Sequence, residues 1–154
     1  MIIELNENDN ISSDIKLERI YEQLKILVGL LRQRELTAGI IDKINQDMEE
    51  LNSTTLNGKD LRKLLKKKQT KILNLLEKEL KIVPKDHYKN LWLAIGPSTF
   101  GFPIGIALSS TYFGNIAFFV IGMPIGILIG LIIGTNMDKK AHKEGRQLDI
   151  FIKI

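Results

Sequence analysis

The sequence predicts an all-α integral membrane protein, in which cytoplasmic amphipathic helices are followed by a two-pass transmembrane helical hairpin. Three observations predict this fold. No charged side chain occurs between Asn90 and Met137. Charges crowd the rest of the chain: residues 1–58 carry 6 basic and 11 acidic side chains, and residues 59–89 carry 11 and 4. Before Asn90, apolar residues recur at spacings of three and four, as on one face of a helix.

These patterns divide the 154 residues into five parts. We expect an N-terminal tail over residues 1–11, a cytoplasmic helical domain over 12–83, a juxtamembrane linker over 84–90, the transmembrane hairpin over 91–136 and a cytoplasmic C-terminal tail over 137–154. The chain contains no cysteine, which excludes disulfides and thiolate metal sites.

The helical domain is predicted to contain two or three long helices. The stretch Ser12-Ser13-Asp14 offers an N-cap with a carboxylate in the first turn of the first helix, and the apolar spacing fails near Thr37 before it resumes. A turn at residues 52–58 precedes another helix from about Lys59 to Lys81, which the nearby Pro84 ends. A unit of this size buries little core by itself, so we expect other copies of the chain to complete it.

The uncharged segment is long enough for two membrane passes. At about 1.5 Å per residue, its roughly 45 residues would extend about 68 Å as one helix, whereas the hydrocarbon core is about 30 Å thick. The polar stretch at residues 109–115 lies near the middle and is the predicted turn. We therefore place the helices at 91–111 and 116–136.

Lysine and arginine near both ends of the hairpin predict its orientation. Lys85 and Lys89 precede the first helix, and Lys139 and Lys140 follow the second. Basic residues beside membrane helices favour the cytoplasmic side. We expect a multi-pass protein of the cell inner membrane with both termini in the cytoplasm.

Glycines repeat at a spacing of four within the hairpin. Residues four apart share one face of a helix, and faces of small residues let membrane helices touch along their backbones. The partner is either the other helix of the same hairpin or another copy of the chain, and we favour a homo-oligomer. The glycines are Gly101 and Gly105 on the first helix and Gly122, Gly126, Gly130 and Gly134 on the second.

A short internal repeat places one proline in each helix. Residues 101–106 and 122–127 are identical at five of six positions, and they contain Pro103 and Pro124. A proline inside a helix removes a backbone hydrogen bond and bends the helix. We expect kinks at both prolines, covered by neighbouring protein because lipid offers no replacement hydrogen bond.

A basic run lies on the helix that precedes the hairpin. Three interpretations remain open: a solvated face opposite acidic residues of a neighbouring helix, adsorption to anionic lipid, or binding of an oligonucleotide or nucleotide signal. The absence of interleaved aromatic residues disfavours base stacking. The run consists of Lys59, Arg62, Lys63, Lys66, Lys67, Lys68 and Lys71.

The sequence contains no motif that predicts catalysis, a metal site or a cofactor. The chain has two histidines, His87 and His142, and only Asp138 stands at a metal-ligand spacing from either. The hairpin lacks the charged residues that proton relays and coupled transporters use. We therefore predict that the protein is not an enzyme and binds no metal.

The glycine ridge of the second helix resembles that of small two-helix glycine-zipper membrane proteins. The combination with a cytoplasmic helical domain is similar in plan to membrane effectors of bacterial anti-phage defence systems. This resemblance implies a homo-oligomeric pore or membrane-perturbing effector, gated by the cytoplasmic domain. Two alternatives are a non-conducting anchor or scaffold that recruits a cytoplasmic protein, and a nucleic-acid-responsive membrane protein that uses residues 59–71.

Overall fold

The computed structural model describes residues 1–6, 11, 14–113 and 119–152. The chain divides into two compact units. The helical unit comprises Met1–Val83 and the segment from Leu148 onward, and the hairpin unit comprises Pro84–Gln147. The described residues are mostly helical, as predicted.

Three helices form the helical unit: α1 (Ile15–Arg32), α2 (Ala38–Ser53) and α3 (Gly58–Leu80). The Asp14 side chain caps α1 by accepting hydrogen bonds from the backbone N–H groups of Lys16 and Leu17. The predicted break near Thr37 is confirmed, since α1 ends before it and α2 begins after it. At the end of α3, Lys81 takes a left-handed conformation with φ of 56° and donates to the Glu77 carbonyl.

The core of the helical unit includes both segments that the sequence suggested were tails. α3 contacts both α1 and α2, and side chains such as Leu24, Ile44 and Leu76 are fully buried. The apolar side chains that these two segments add are Ile2, Leu5, Ile11, Leu148, Ile150 and Ile152. These segments are therefore not separate tails, because a few apolar side chains in each of them complete the core.

Two short strands and two helical stretches complete the described chain. The strands β1 (Val83–Pro84) and β2 (Gln147–Leu148) pair with each other. Between them, the first helical stretch consists of α4 (His87–Gly96), the π-helical segment π1 (Pro97–Gly101), α5 (Phe102–Ala107) and the π-helical segment π2 (Leu108–Phe113). The second stretch is the single helix α6 (Phe119–Lys143).

The hairpin helices extend beyond the predicted bounds. The linker expected at residues 84–90 is helical from His87, and α6 continues past residue 136 to Lys143. The turn predicted to begin at Ser109 is wrong in its first part, because the chain stays helical to Phe113. The Ser110 hydroxyl there donates to the Ile106 carbonyl of its own helix, which lets a polar residue remain helical. Residues 114–115 of the predicted turn and residues 116–118 of the predicted second helix lie outside the described residues.

Candidate functional site: the glycine seam of the hairpin

The glycines of α6 face the backbone of the first helical stretch of the same chain. The contacts follow antiparallel order, from Gly122 beside Gly101 and Gly105 to Gly134 beside Tyr88 and Lys89. Between these ends, Gly126 meets Gly96 and Gly101, and Gly130 meets Trp92 and Gly96. We call this set of backbone contacts the glycine seam; its glycines are Gly96, Gly101, Gly105, Gly122, Gly126, Gly130 and Gly134.

Along the seam the two helices are too close together for α6 to carry a side chain there. A methyl group added at Gly126 would lie 2.6 Å from the Gly101 nitrogen and 2.7 Å from the Gly96 oxygen. One added at Gly134 would lie 2.6 Å from the Lys89 Cα, and additions at Gly122 and Gly130 would also meet backbone atoms. Real Cβ atoms essentially never come within 3.0 Å of such neighbours. Only glycine therefore allows this approach of the two helices.

The π1 segment aligns the glycines of the first stretch. Gly96 and Gly101 are five residues apart, a spacing that would place them on different faces of a regular α-helix. Across π1 the Phe102 N–H donates to the Pro97 carbonyl, five residues earlier, so this turn contains one extra residue. Both glycines consequently face α6. The spacing of four in the sequence does not include Gly96, although the Gly96-Pro97 pair is a signal of an irregular turn.

All six glycines singled out from the sequence lie in the seam, and the structure pairs them within one chain. A homo-oligomer stays a prediction, and any contact that it made through the hairpin would have to use faces other than the seam. Pro103 lies in α5 directly after π1, and Pro124 lies within α6, which remains one helix through that position. Kinks at the two prolines also stay a prediction.

Asp138, near the end of α6, contacts the start of α4. We call this end of the hairpin unit its open end. The two carboxylate oxygens of Asp138 accept hydrogen bonds from the backbone N–H groups of Tyr88 at 3.1 Å and Lys89 at 2.8 Å. These donors belong to the first turn of α4, where N–H groups lack partners within the helix. Asp86 occupies the N-cap position of α4, but its side chain makes no capping hydrogen bond. The Asp138 carboxylate caps the helix instead. Asp138 is buried, and its negative charge is favourable at a helix N-terminus.

The basic run on α3 is partly neutralised within the helical unit. Lys68 is buried, with its Nζ 2.7 Å from an Asp47 oxygen and a second contact to Glu50. The Lys71 Nζ lies 2.8 Å from the same Asp47 oxygen. These contacts place acidic residues of α2 beside the run, as the first of the three interpretations expects.

The remaining basic residues of the run are more exposed. A guanidinium nitrogen of Arg62 lies 3.6 Å from a carboxylate oxygen of Asp14, and the Lys63 Nζ lies 3.4 Å from a carboxylate oxygen of Asp60. Lys59, Lys66 and Lys67 are exposed and make no ion pair among the residues that the structure describes. A lipid or nucleotide would therefore find only some of the positive charges of the run without an acidic partner.

Opposing effects act on the buried Lys68 ammonium. Burial lowers its pKa, but hydrogen bonds and charge attraction from Asp47 and Glu50 outweigh burial and raise the pKa above its ordinary value. Lys68 therefore stays charged at neutral pH and links α3 to α2.

Comparison with protein-family models, curated proteins and solved structures finds no match to this chain. The resemblance of the glycine ridge to glycine-zipper proteins therefore stays a prediction. Two described helical spans, His87–Ser110 and Val120–Lys143, are long and apolar enough to cross a membrane.

Proposed function

We propose that the hairpin unit crosses a lipid bilayer twice. Its two candidate spans have 24 residues each, and only 17% and 22% of their apolar windows are buried inside the chain. A core helix of a soluble protein would be mostly buried. Large apolar side chains face outward instead, including Val120 at 66% and Ile132 at 62% exposed. A continuous apolar surface of this kind is suited to lipid.

Both ends of the hairpin would then lie on one side of the membrane. The contact of Asp138 with the start of α4 brings the first residues of one helix beside the last residues of the other. Lysines occur at both ends, including Lys89 and Lys139, and they favour the cytoplasmic side. This supports the inner membrane of a cell, with the helical unit in the cytoplasm.

The geometry favours a membrane anchor that holds the helical unit at the membrane surface, where that unit recruits a cytoplasmic protein. The observation that carries this choice is the closed glycine seam. The glycine face of α6 packs against the other helical stretch of the same hairpin. The surface that the hairpin turns outward is therefore mostly apolar. Two helices alone enclose no channel, and that surface offers little to line a water-filled one.

Conductance across a planar bilayer tests this function. The full chain is reconstituted, and its resistance to alkaline extraction from the lipid establishes insertion. An anchor predicts no current above that of protein-free bilayers at any protein density. Stepwise currents that grow with protein density would contradict it.

A homo-oligomeric pore or membrane-perturbing effector is the second candidate, and two hydroxyl groups favour it. Ser98 and Thr99 of π1 are exposed and make no hydrogen bond among the described residues. They lie roughly 12 Å along the helix from Asn90 and so close to the bilayer centre. In contrast, the Ser110 and Thr135 hydroxyls bond to carbonyls of their own helices. An unpartnered hydroxyl in lipid is costly, and a second copy could satisfy it.

Sizing the detergent-solubilised protein tests this candidate. An oligomer held by these hydroxyls predicts that Ser98→Ala with Thr99→Val shifts the protein toward monomer. Ser110→Ala, which removes a hydroxyl already bonded to its own helix, serves as the control. This candidate would be contradicted if the unmodified chain were monomeric, or if the double substitution left the size of the oligomer unchanged. An oligomer that also conducts would favour an effector, as in the predicted role in anti-phage defence.

A further inference from the structure

An open pocket of about 420 Å³ lies at the end of the hairpin unit where α4 begins and α6 ends. Both helices contribute ionisable side chains to its lining. These are Asp86 and Lys89 beside the start of α4, and Asp138, Lys139, His142 and Lys143 on α6. All of them belong to the same compact unit.

The positive charge of the pocket exceeds its negative charge. Asp138 is already occupied by the two N–H groups of α4. Asp86 pairs with Lys89 at 2.9 Å. Lys139 and Lys143 make no ion pair among the described residues. They lie four positions apart on one face of α6, where like charges repel each other. An anion between them would relieve this repulsion.

The depth of the pocket points to the source of that anion. Lys139 and Lys143 lie roughly 3 Å and 9 Å along the helix beyond Met137, the last residue of the uncharged segment. The polar layer on each side of a bilayer is roughly 5–7 Å thick. The Lys139 backbone would therefore lie within the headgroup layer and the Lys143 backbone just beyond it, with a side chain that tilts back toward the membrane; this inference rests on the proposed insertion of the hairpin.

We propose that this pocket binds the phosphate group of an anionic membrane lipid, held between the ammonium groups of Lys139 and Lys143. Basic pockets between membrane helices on the cytoplasmic side are suited to such headgroups. The acyl chains would lie along the apolar outer face of α6. A bound lipid of this kind would fix the depth of the hairpin and tie its open end to the anionic leaflet.

Native mass spectrometry of the full chain in detergent micelles tests the proposal. The protein is titrated with phosphatidylglycerol and, separately, with phosphatidylcholine carrying the same acyl chains. We expect retention of one phosphatidylglycerol in preference to phosphatidylcholine. Lys139→Gln with Lys143→Gln should weaken phosphatidylglycerol binding about 30-fold, which corresponds to about 2 kcal/mol at about 1 kcal/mol per lysine.

The matched control is Lys78→Gln with Lys140→Gln, which makes the same change in net charge outside the pocket. Lys140 points toward Glu144, 4.0 Å away, and Lys78 belongs to α3. Equal weakening by both double variants would show general attraction to anionic lipid and overturn the proposal. Equal retention of the two lipids by the unmodified chain would also overturn it.

Two further arms separate the remaining outcomes. Inorganic phosphate is added to the lipid-free protein; saturable binding that matches the lipid in affinity and needs the two lysines would overturn the lipid as the source. Alkaline extraction of membranes containing each variant tests insertion independently. Extraction of the unmodified chain would refute the proposed membrane hairpin, whereas a retained chain without lipid preference would refute only the pocket.

Discussion

The two units of the chain reach close packing in opposite ways. The helical unit buries large side chains, and Leu24, Ile44 and Leu76 are each 0% exposed. The hairpin unit buries glycines so that backbone meets backbone, and it turns large side chains such as Ile132 outward. In water, buried apolar surface contributes about 25 cal/mol per Å². In lipid this gain disappears, because hydrocarbon surrounds the side chain on either side, and close backbone contact takes its place.

Glycine shows the contrast most clearly. Gly29 lies on the exposed side of α1, where an added methyl group meets no atom within 4 Å. Gly126 lies in the seam, where the same group would strike the backbone at 2.6 Å. In the helical unit Gly29 only lowers helix stability and could be replaced, whereas in the hairpin unit Gly126 is required for the close approach of the helices. This difference supports the proposal that only the hairpin is surrounded by lipid.

The largest effect is expected where the seam is opened. Gly126→Leu should destabilise the hairpin by more than about 3 kcal/mol, because the new side chain separates α6 from Gly96 and Gly101. Trp92, the single tryptophan, contacts the seam and stacks on Phe100, so its fluorescence reports the change. We expect a lower midpoint of thermal unfolding and a shifted emission maximum.

Ile132→Leu is the control, because it changes an outward-facing side chain of the same helix. It should leave both fluorescence properties nearly unchanged. A Gly126→Leu protein that behaves like this control would show that backbone contact does not hold the hairpin together.

A smaller effect is expected at the buried ion pair of the helical unit. Asp47→Asn should cost about 2 kcal/mol, because Lys68 keeps its burial and its charge but retains only Glu50. Hydrogen exchange of the α2 and α3 amides in the full chain measures this. Asp60→Asn, which affects an exposed pair with Lys63, should cost less than about 0.5 kcal/mol. Equal effects of the two substitutions would contradict the buried role.

The same ion pair predicts the direction of a pH effect. The folded-state pKa of Lys68 is raised above its ordinary 10.5, so the stabilisation is complete below that value. It is lost as the pH rises through the raised pKa. Protection of the α2 and α3 amides should therefore be insensitive to Lys68 between neutral pH and about 9.

The cap at the open end of the hairpin should contribute about 1 kcal/mol. Asp138→Ala leaves two N–H groups of α4 without their acceptor, so the amides of Tyr88 and Lys89 should exchange faster. Asp138→Asn keeps one acceptor oxygen and should give an intermediate rate. Unchanged exchange at both amides in Asp138→Ala would exclude the cap.

A change of similar size should have the opposite sign. Gly29→Ala is expected to stabilise α1 by about 1 kcal/mol, because alanine favours the helix and meets no neighbour. Gly126→Ala should destabilise the hairpin despite the same gain in helix propensity. Hydrogen exchange of α1 and thermal unfolding of the hairpin measure the two effects. Equal signs would remove the contrast between the units.

The sequence predicts the features of this fold that depend on neighbouring residues. An N-cap within residues 12–14, the break near Thr37 and the end of α3 before Pro84 follow from local backbone chemistry, and the structure confirms them, with Asp14 as the capping residue. The two apolar helices also follow from a long segment without charge. The spacing of four on α6 further identifies its packing face.

Features that depend on distant residues were harder to predict. The alignment of Gly96 with Gly101 requires the extra residue of π1, and a search for spacings of four passes over it. Asp138 acts on residues about 50 positions earlier, so its neighbours in the sequence reveal nothing of its role. The burial of Ile2 and Ile150 likewise depends on surfaces formed by helices elsewhere in the chain.

Magic-angle-spinning NMR of the chain in lipid bilayers, with ¹³C-labelled glycine, tests most directly whether the glycine seam closes within one molecule. The labelled chain is measured alone and then after dilution with a large excess of unlabelled chain. An intramolecular seam predicts that the contacts between Gly126 and both Gly96 and Gly101 survive dilution. Contacts that fade as labelled chains become rare would place the glycines between molecules and contradict the account.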